Sequence, residues 1–486
     1  MLRPFFLSAA AVMATTASAF CGFYVAKADA TLFNDKSEVI LVRDGLRTII
    51  TMSNDFKGDV RDFAMVVPVP VVLKESDIRV VDRTIFQKLD NYSSPRLVEY
   101  WDQNPCMQWQ YAEERSMLDM VANGAAATMK REQNEDKDYG VTIEAQYTVG
   151  EYDILILSAT ESAGLKDWLT INGYKIPATA HEVLDPYIKS NLKFFVVKVD
   201  LDQPQTKGDY LRPLQIQFSH EKFMLPIRLG MANSMGQQDM IVYAFTRTGR
   251  VECVNYRTVK VPTDRNIPLF AQQKFGPMYK DLFARAWKRE GRNAIFLEYA
   301  WNVTPSWGGM KCDPCVGPPP MNQEFVDAGV DWASGPNGGN GQQVFFTRLH
   351  VRYGRDKFPQ DLMFQVTPNT EQFQARYILT HPAQGDLTCS EGQSYLEELY
   401  YRRVREMDEL YALTGWDLGM HRNYTNEVRG KLSPERRNSL DVVPLPGGPS
   451  APGGGAGWRL LLMGSALLAG LWYALRTRTP SPVGAV

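Results

Sequence analysis

The sequence has little of what the commonest catalytic and nucleic-acid-binding proteins require. Its formal net charge is −2, so the chain lacks the general basic field that attracts nucleic acid. Histidine occurs only five times, and the five are scattered, with no second histidine or cysteine at the spacing of a metal site. The motifs H-E-x-x-H and G-x-S-x-G are absent, and no glycine-rich stretch carries a phosphate-loop lysine. The sequence therefore predicts no catalytic residue, no metal site and no cofactor.

The overall composition is that of a folded protein. Of 486 residues, 44% are hydrophobic and 11% aromatic, which is enough for a substantial core. Charged residues make up 22%, close to the average for globular proteins, and this argues against disorder along the whole chain. The length suits one large domain or two to three smaller ones.

The first residues have the order of a secretory signal peptide. Arg3 is followed by an apolar run over residues 4–14 and then by the small residues Ala17-Ser18-Ala19. We expect cleavage between Ala19 and Phe20, which makes residues 1–19 the signal peptide. Cys21 also allows a lipoprotein, but the bulky Phe20 stands where a lipobox has a small residue, and this favours a disulfide role.

The C-terminal residues change composition sharply. Residues 426–457 are first charged and then rich in Pro and Gly, as in a flexible spacer. Residues 458–478 contain sixteen consecutive uncharged residues followed by arginines, so we expect a transmembrane helix there and a cytoplasmic tail over 479–486. A processed sorting signal is the alternative, because sixteen residues cover only about 24 Å.

Between these ends, strand patterns dominate. Val39–Val42 and Leu46–Met52 flank Asp44-Gly45 and predict a hairpin. Apolar side chains at helical spacing predict amphipathic helices over residues 278–290 and 396–411. We predict an α+β fold over residues 20–425, strand-rich, with antiparallel sheets and scattered helices. Residues 107–139 form a charged, flexible insertion in this prediction.

The six cysteines are all disulfide candidates, because an even number in an exported chain indicates bridges. Six cysteines allow fifteen complete pairings, and some can instead be buried thiols. Cys312 and Cys315 form a C-x-x-C pair that allows a structural bridge, a redox pair or a metal site. The prolines that follow do not start an ordinary helix, which favours the structural bridge. The six candidates are Cys21, Cys106, Cys253, Cys312, Cys315 and Cys389.

Aromatic residues are frequent on both sides of the C-x-x-C pair. Such a group can stack on a sugar or a peptide, but more often it belongs to the core. Both interpretations are open for Trp287, Tyr299, Trp301, Trp307 and Trp332.

Six motifs resemble the bacterial family catalogued as domain of unknown function 2330. The resemblance covers about residues 20–381 and implies an exported bacterial protein, without implying an activity, a ligand or a catalytic residue. The motifs are CGFYVAKADA at 21–30, VRDG at 42–45, DFAMVVPVP at 62–70, EKFMLPIRLG at 221–230, CDPC at 312–315 and TRLHVRY at 347–353.

These observations favour a membrane-tethered extracytoplasmic protein that serves as a binding or structural module of the bacterial cell envelope. Its expected partners are the membrane, through the C-terminal helix, and an envelope protein or a glycan. The alternative is an extracytoplasmic thiol–disulfide oxidoreductase that uses Cys312 and Cys315.

Overall fold

A computed structural model describes most of the chain between Phe23 and Leu440. The described residues are 23–26, 37–54, 62–107, 140–172, 180–200, 212–232, 236–304, 318–333 and 342–440. The predicted signal peptide and transmembrane helix lie outside these residues, as do residues 108–139 of the predicted insertion. Cys21, Cys312 and Cys315 also lie outside them.

The described residues form twenty strands and eight α-helices. The strands are β1 Phe23–Ala26, β2 Ser37–Asp44, β3 Arg47–Asn54, β4 Asp62–Val69, β5 Ile78–Val80, β6 Arg96–Trp101, β7 Val141–Val149, β8 Tyr152–Ala159, β9 Lys193–Asp200, β10 Leu214–Ser219, β11 Met224–Leu225, β12 Gln238–Thr246, β13 Val251–Cys253, β14 Arg257–Lys260, β15 Arg265–Asn266, β16 Ala294–Asn302, β17 Phe345–Tyr353, β18 Leu362–Val366, β19 Phe373–Gln374 and β20 Arg376–His381. The helices are α1 Thr84–Ser93, α2 Ser162–Ile171, α3 Ala180–Lys189, α4 Phe275–Arg289, α5 Asn322–Ala328, α6 Ser390–Thr414, α7 Asn423–Lys431 and α8 Pro434–Ser439.

The described strands form four sheets. A central nine-stranded sheet has the order β14-β16-β17-β12-β2-β3-β10-β5, and β19 pairs with β16 beside this path. A five-stranded antiparallel sheet has the order β1-β4-β9-β8-β7. Two three-stranded sheets are smaller: β11-β18-β13 is antiparallel, and β15-β20-β6 is entirely parallel.

The middle strands of both large sheets are buried on both faces. In β2, Val39 and Leu41 belong to the largest core cluster, whereas Ile40 and Val42 belong to a second one with α1 and α5. The five-stranded sheet contributes to the largest cluster with one face and packs against α2 and α3 with the other. Strands buried on both faces have continuous apolar runs instead of alternation, which explains the run of residues 39–42.

Several elements that the sequence predicts are confirmed. The hairpin is β2–β3, whose register pairs Asp44 with Arg47, and Gly45 takes the positive φ of 56° that its turn requires. The two amphipathic patterns correspond to α4 and α6. The apolar spacing marks these helices because each buries one face in the core.

The predicted fold class is wrong as stated. Four strand pairs are parallel: β2 with β12, β14 with β16, β15 with β20, and β20 with β6. The fold is therefore mixed α/β with several antiparallel sheets. Most of these partners lie far apart in the sequence, and turn motifs indicate only neighbouring antiparallel strands. The described residues also include no helix that is long and apolar enough to cross a membrane.

Candidate functional site

A buried charge cluster crosses the central sheet. Arg348, His350 and Arg352 alternate along β17, so they lie on one face of the sheet. The neighbouring β16 carries a β-bulge, where the register shifts between Leu297 and Tyr299. The extra residue of this bulge is Glu298, whose side chain is buried beside the basic residues.

Glu298 is the acceptor that joins this cluster. Its Oε2 accepts a hydrogen bond from Arg348 Nε at 2.6 Å, and its Oε1 lies 2.8 Å from His350 Nδ1. The Tyr279 hydroxyl of α4 donates to the same carboxylate. Arg348 also donates to Asp90 of α1 at 2.7 Å, so the cluster links the sheet to two helices.

The electrostatics keep the cluster ionised. Burial alone favours the neutral acid of Glu298, but the charges of His350 and Arg348 outweigh it and lower its pKa to about 2. Burial likewise disfavours the imidazolium of His350, yet Glu298 and Asp239 raise its pKa above the ordinary value. Because these groups neutralise one another, we assign the cluster a structural role.

The described cysteines form one bridge and one free thiol. Cys106 and Cys389 are joined by a disulfide across 283 residues of sequence, with their Cα atoms 6.0 Å apart. Cys253 is buried and free, and burial raises the pKa of its thiol. A raised pKa is the opposite of what a reactive thiolate requires. These three residues therefore supply no support for the oxidoreductase alternative.

The aromatic residues near the C-x-x-C pair are mostly core. Trp287, Tyr299 and Trp332 are buried, and they belong to two different core clusters. Trp301 is partly buried against the second cluster, and Trp307 lies outside the described residues. The described members of this group form no shared exposed surface for a ligand.

A charged cavity lies between α6 and the start of β15. It has a volume of about 300 Å³, the lower end of the range for small-molecule sites. Four side chains from successive turns of α6 form one wall, because residues at spacings of three and four share a helix face. The lining residues are Asp264, Arg265, Asn266, Arg402, Arg405, Glu406 and Glu409.

A buried carboxyl group and an exposed cationic side chain lie side by side in the cavity. Glu406 is 2% exposed and accepts a hydrogen bond from the Tyr424 hydroxyl at 2.6 Å. Burial is the largest influence on this carboxyl and raises its pKa. Arg405 is exposed and makes no hydrogen bond or ion pair to any other described residue. Arg405 therefore presents an uncompensated cation at the cavity.

Arg402 is held between two acids. It donates two hydrogen bonds to Asp102, at 2.6 and 3.2 Å, which leaves its Nε pointing elsewhere. That Nε is buried, lies 3.6 Å from Glu406 Oε1, and has no hydrogen-bond acceptor among the described residues. A buried N–H without an acceptor is costly, and the ion pair with Glu406 offsets part of that cost.

The backbone on the opposite wall is strained. Asp264 has a φ of 55°, in the left-handed region where residues other than glycine are uncommon. The conformation is held because the Asp264 backbone N–H donates to Arg376 O and its carboxylate accepts from Arg376 Nε. Such strain costs of order 1–3 kcal/mol and occurs often at binding sites.

Sequence reasoning missed this cavity. The pattern of α6 predicts an amphipathic helix whose charged side is solvated, and Arg402, Arg405, Glu406 and Glu409 fit that description. The burial of Glu406 becomes evident only in the folded structure, where its carboxylate contacts Tyr424 of α7. In the part of the chain that the structure describes, no group of three or more His, Cys, Asp or Glu side chains is placed to hold a metal ion.

Comparison with known proteins identifies the family of the chain but assigns no activity to it. A family model described as an uncharacterized protein conserved in bacteria, domain of unknown function 2330, matches residues 15–365. The resemblance read from the six motifs is thus confirmed. No curated protein and no solved structure matches the chain. The matched range ends before α6, so the α6 wall of the cavity lies beyond it.

Proposed function

The chain belongs to this bacterial family, and we propose that it is an exported module of the cell envelope that binds a small zwitterionic molecule, such as an amino acid or a short peptide. The observation that carries the proposal is the cavity between α6 and β15. Arg405 offers a positive donor for a carboxylate, and Glu406 offers an acceptor for an ammonium group.

The export half of the proposal rests on the disulfide and the signal-peptide pattern. Bridges such as Cys106–Cys389 form and persist in oxidising compartments and are rare in the cytoplasm. This bridge anchors the segment after β6 to the start of α6. The same helix forms the cavity wall. Because an oxidising compartment keeps the bridge closed, it also keeps this wall of the cavity rigid.

The binding half is tested by calorimetry with a panel of free amino acids and dipeptides. We expect saturable binding of at least one of them by the wild-type protein. Arg405→Ala removes the free cation and should weaken that binding roughly tenfold or more, equivalent to about 1.4 kcal/mol. Glu406→Gln keeps the shape of the wall and should weaken ligands that carry an ammonium group.

Lys280→Ala is the matched control, because Lys280 is an exposed cation on α4 and does not line the cavity. It should bind the ligand as the wild type does. If no member of the panel binds, or if Arg405→Ala and Lys280→Ala behave alike, the cavity is not the site that we propose.

A further inference from the structure

A second cavity lies along the first turns of α6, between α7 and the loop that joins β20 to α6. Its volume is about 410 Å³, which is within the range of small-molecule sites. Residues 382–388, four residues of α6 and three residues of α7 line it, and none of them lines the cavity between α6 and β15. This second cavity is therefore a separate candidate for a ligand.

The loop that forms one wall of the second cavity is fixed by hydrogen bonds. The buried Asn104 donates from its Nδ2 to Gln384 O at 2.8 Å and to Asp386 O at 3.1 Å. Gln393 of α6 donates from its Nε2 to Leu387 O at 3.1 Å. A cavity whose wall is already ordered loses little conformational entropy when a ligand binds.

Arg403 is the buried cation of the second cavity. It is 4% exposed, and its Cζ lies 4.3 Å from the centroid of the Tyr424 ring. Its Nη1 donates to Tyr424 O and to Glu427 Oε2, the latter at 3.3 Å. Its Nε and Nη2 make no hydrogen bond to any described residue, and the protein does not enclose them. These two N–H groups form the parallel fork that binds a carboxylate through two hydrogen bonds.

The charges beside this fork favour a ligand with a single negative charge. Lys431 Nζ donates to Glu427 Oε1 at 3.0 Å, so Arg403 and Lys431 share one carboxylate and one positive charge remains. Asp386 also lines the cavity, but it is exposed and accepts a hydrogen bond from the Thr388 backbone N–H of its own loop. A monocarboxylate would neutralise the remaining charge. A phosphate carries more than one negative charge and would leave an excess beside Glu427.

The floor of the second cavity is apolar. Leu396 and Leu399 of α6 and Val428 of α7 line it and belong to the same core cluster. Residues 396, 399 and 403 follow one face of α6, so the fork of Arg403 lies one turn beyond the apolar floor. A small ligand with an aliphatic group and a carboxylate at one end would contact both.

We propose that the second cavity is a binding site for a short aliphatic carboxylate. The carboxylate of the ligand accepts two hydrogen bonds from Nε and Nη2 of Arg403, and Lys431 supplies a further positive charge. The aliphatic group packs on the apolar floor. The site shares no residue with the cavity between α6 and β15, and its test does not depend on that cavity.

The test uses the full mature chain in calorimetry with isovalerate, its uncharged amide isovaleramide, and inorganic phosphate. We expect the wild type to bind isovalerate saturably. Isovaleramide should bind roughly tenfold more weakly or worse, because it has the same aliphatic group without the charge. Phosphate should not displace isovalerate.

Arg403→Lys keeps the charge but removes the fork, so it should weaken the binding of isovalerate roughly tenfold or more. Lys431→Gln changes an exposed side chain and should also weaken it, which tests the site even if Arg403→Lys does not fold. Arg429→Gln is the matched control, because Arg429 is a cation of α7 that does not line the cavity. It should bind isovalerate as the wild type does.

Four results would overturn the proposal. The first is that the wild type does not bind isovalerate, and the second is that isovaleramide or phosphate binds as tightly. The third is that folded Arg403→Lys binds isovalerate as the wild type does, and the fourth is that Lys431→Gln and Arg429→Gln behave alike. Circular dichroism identifies the variants that are folded.

Discussion

At the scale of single residues, Glu298 holds the charge cluster together. It is fully buried, and both of its oxygens interact with cations or a hydroxyl. A buried ion pair adds little net stability, but removing one member leaves the other charge unpaired in a medium that solvates it poorly. The central sheet therefore depends on this carboxylate being present.

Glu298→Gln should lower the free energy of unfolding by about 3 kcal/mol, because Arg348 and His350 lose the charge that compensates them. Denaturation in urea measures this effect. The control is Glu371→Gln, which breaks the exposed pair with Lys260 and should change little. Equal effects in the two variants would contradict the assigned role of Glu298.

The pKa of His350 predicts a pH dependence of stability. Glu298 and Asp239 raise this pKa in the folded protein, with Phe283 stacked on the ring and Arg348 and Arg352 alongside. A raised pKa stabilises the fold fully below the unfolded value of about 6.5, and this contribution is lost as the pH rises through the folded pKa.

The free energy of unfolding should therefore fall as the pH rises above about 6.5. The variant His350→Gln should show a flatter dependence over the same interval, and the control His220→Gln should keep the wild-type slope. Urea denaturation at a series of pH values provides the measurement. A slope that His350→Gln leaves unchanged would show that other groups cause it.

At the scale of elements, α6 is the helix that carries most of the proposed chemistry. Its N-cap is Cys389, whose sulfur accepts from the Gly392 backbone N–H. A Cβ at Gly392 would lie 2.5 Å from Leu387 O and 2.7 Å from Cys106 Sγ. Glycine is required here because the disulfide and the preceding loop approach the first turn so closely.

Gly392→Ala should lower the melting temperature, although alanine is favoured over glycine in a helix by about 1 kcal/mol. The matched control is Gly430→Ala in α7, where a Cβ meets nothing within 4 Å. That variant should raise the melting temperature, since only the helix propensity changes. Stabilisation by both substitutions would mean that the disulfide does not crowd α6.

Elements with a local signal are the ones that sequence predicts. The β2–β3 hairpin has a turn dipeptide, and α4 and α6 have apolar side chains at helical spacing. The bulge at Glu298 has no such signal, because it arises from the alignment of β16 with β17. The burial of Glu406 depends in the same way on packing between distant segments.

At the scale of the whole molecule, long-range pairing determines the architecture. The parallel pair of β2 and β12 joins residues about 200 positions apart, and the disulfide joins residues 283 positions apart. Sequence alone could not choose one bridge among fifteen pairings, nor recognise parallel neighbours. The apolar strands and the presence of a bridge were predictable, but their partners were not.

The central claim is the proposal that the protein functions outside the cytoplasm, where the Cys106–Cys389 disulfide fixes the start of α6. Mass spectrometric peptide mapping of the native protein, alkylated during lysis and digested without reduction, tests this claim most directly. The account predicts a mature chain that starts near Phe20 and a cross-linked peptide containing Cys106 and Cys389. A chain that retains Met1 and carries alkylated thiols at both cysteines would contradict it.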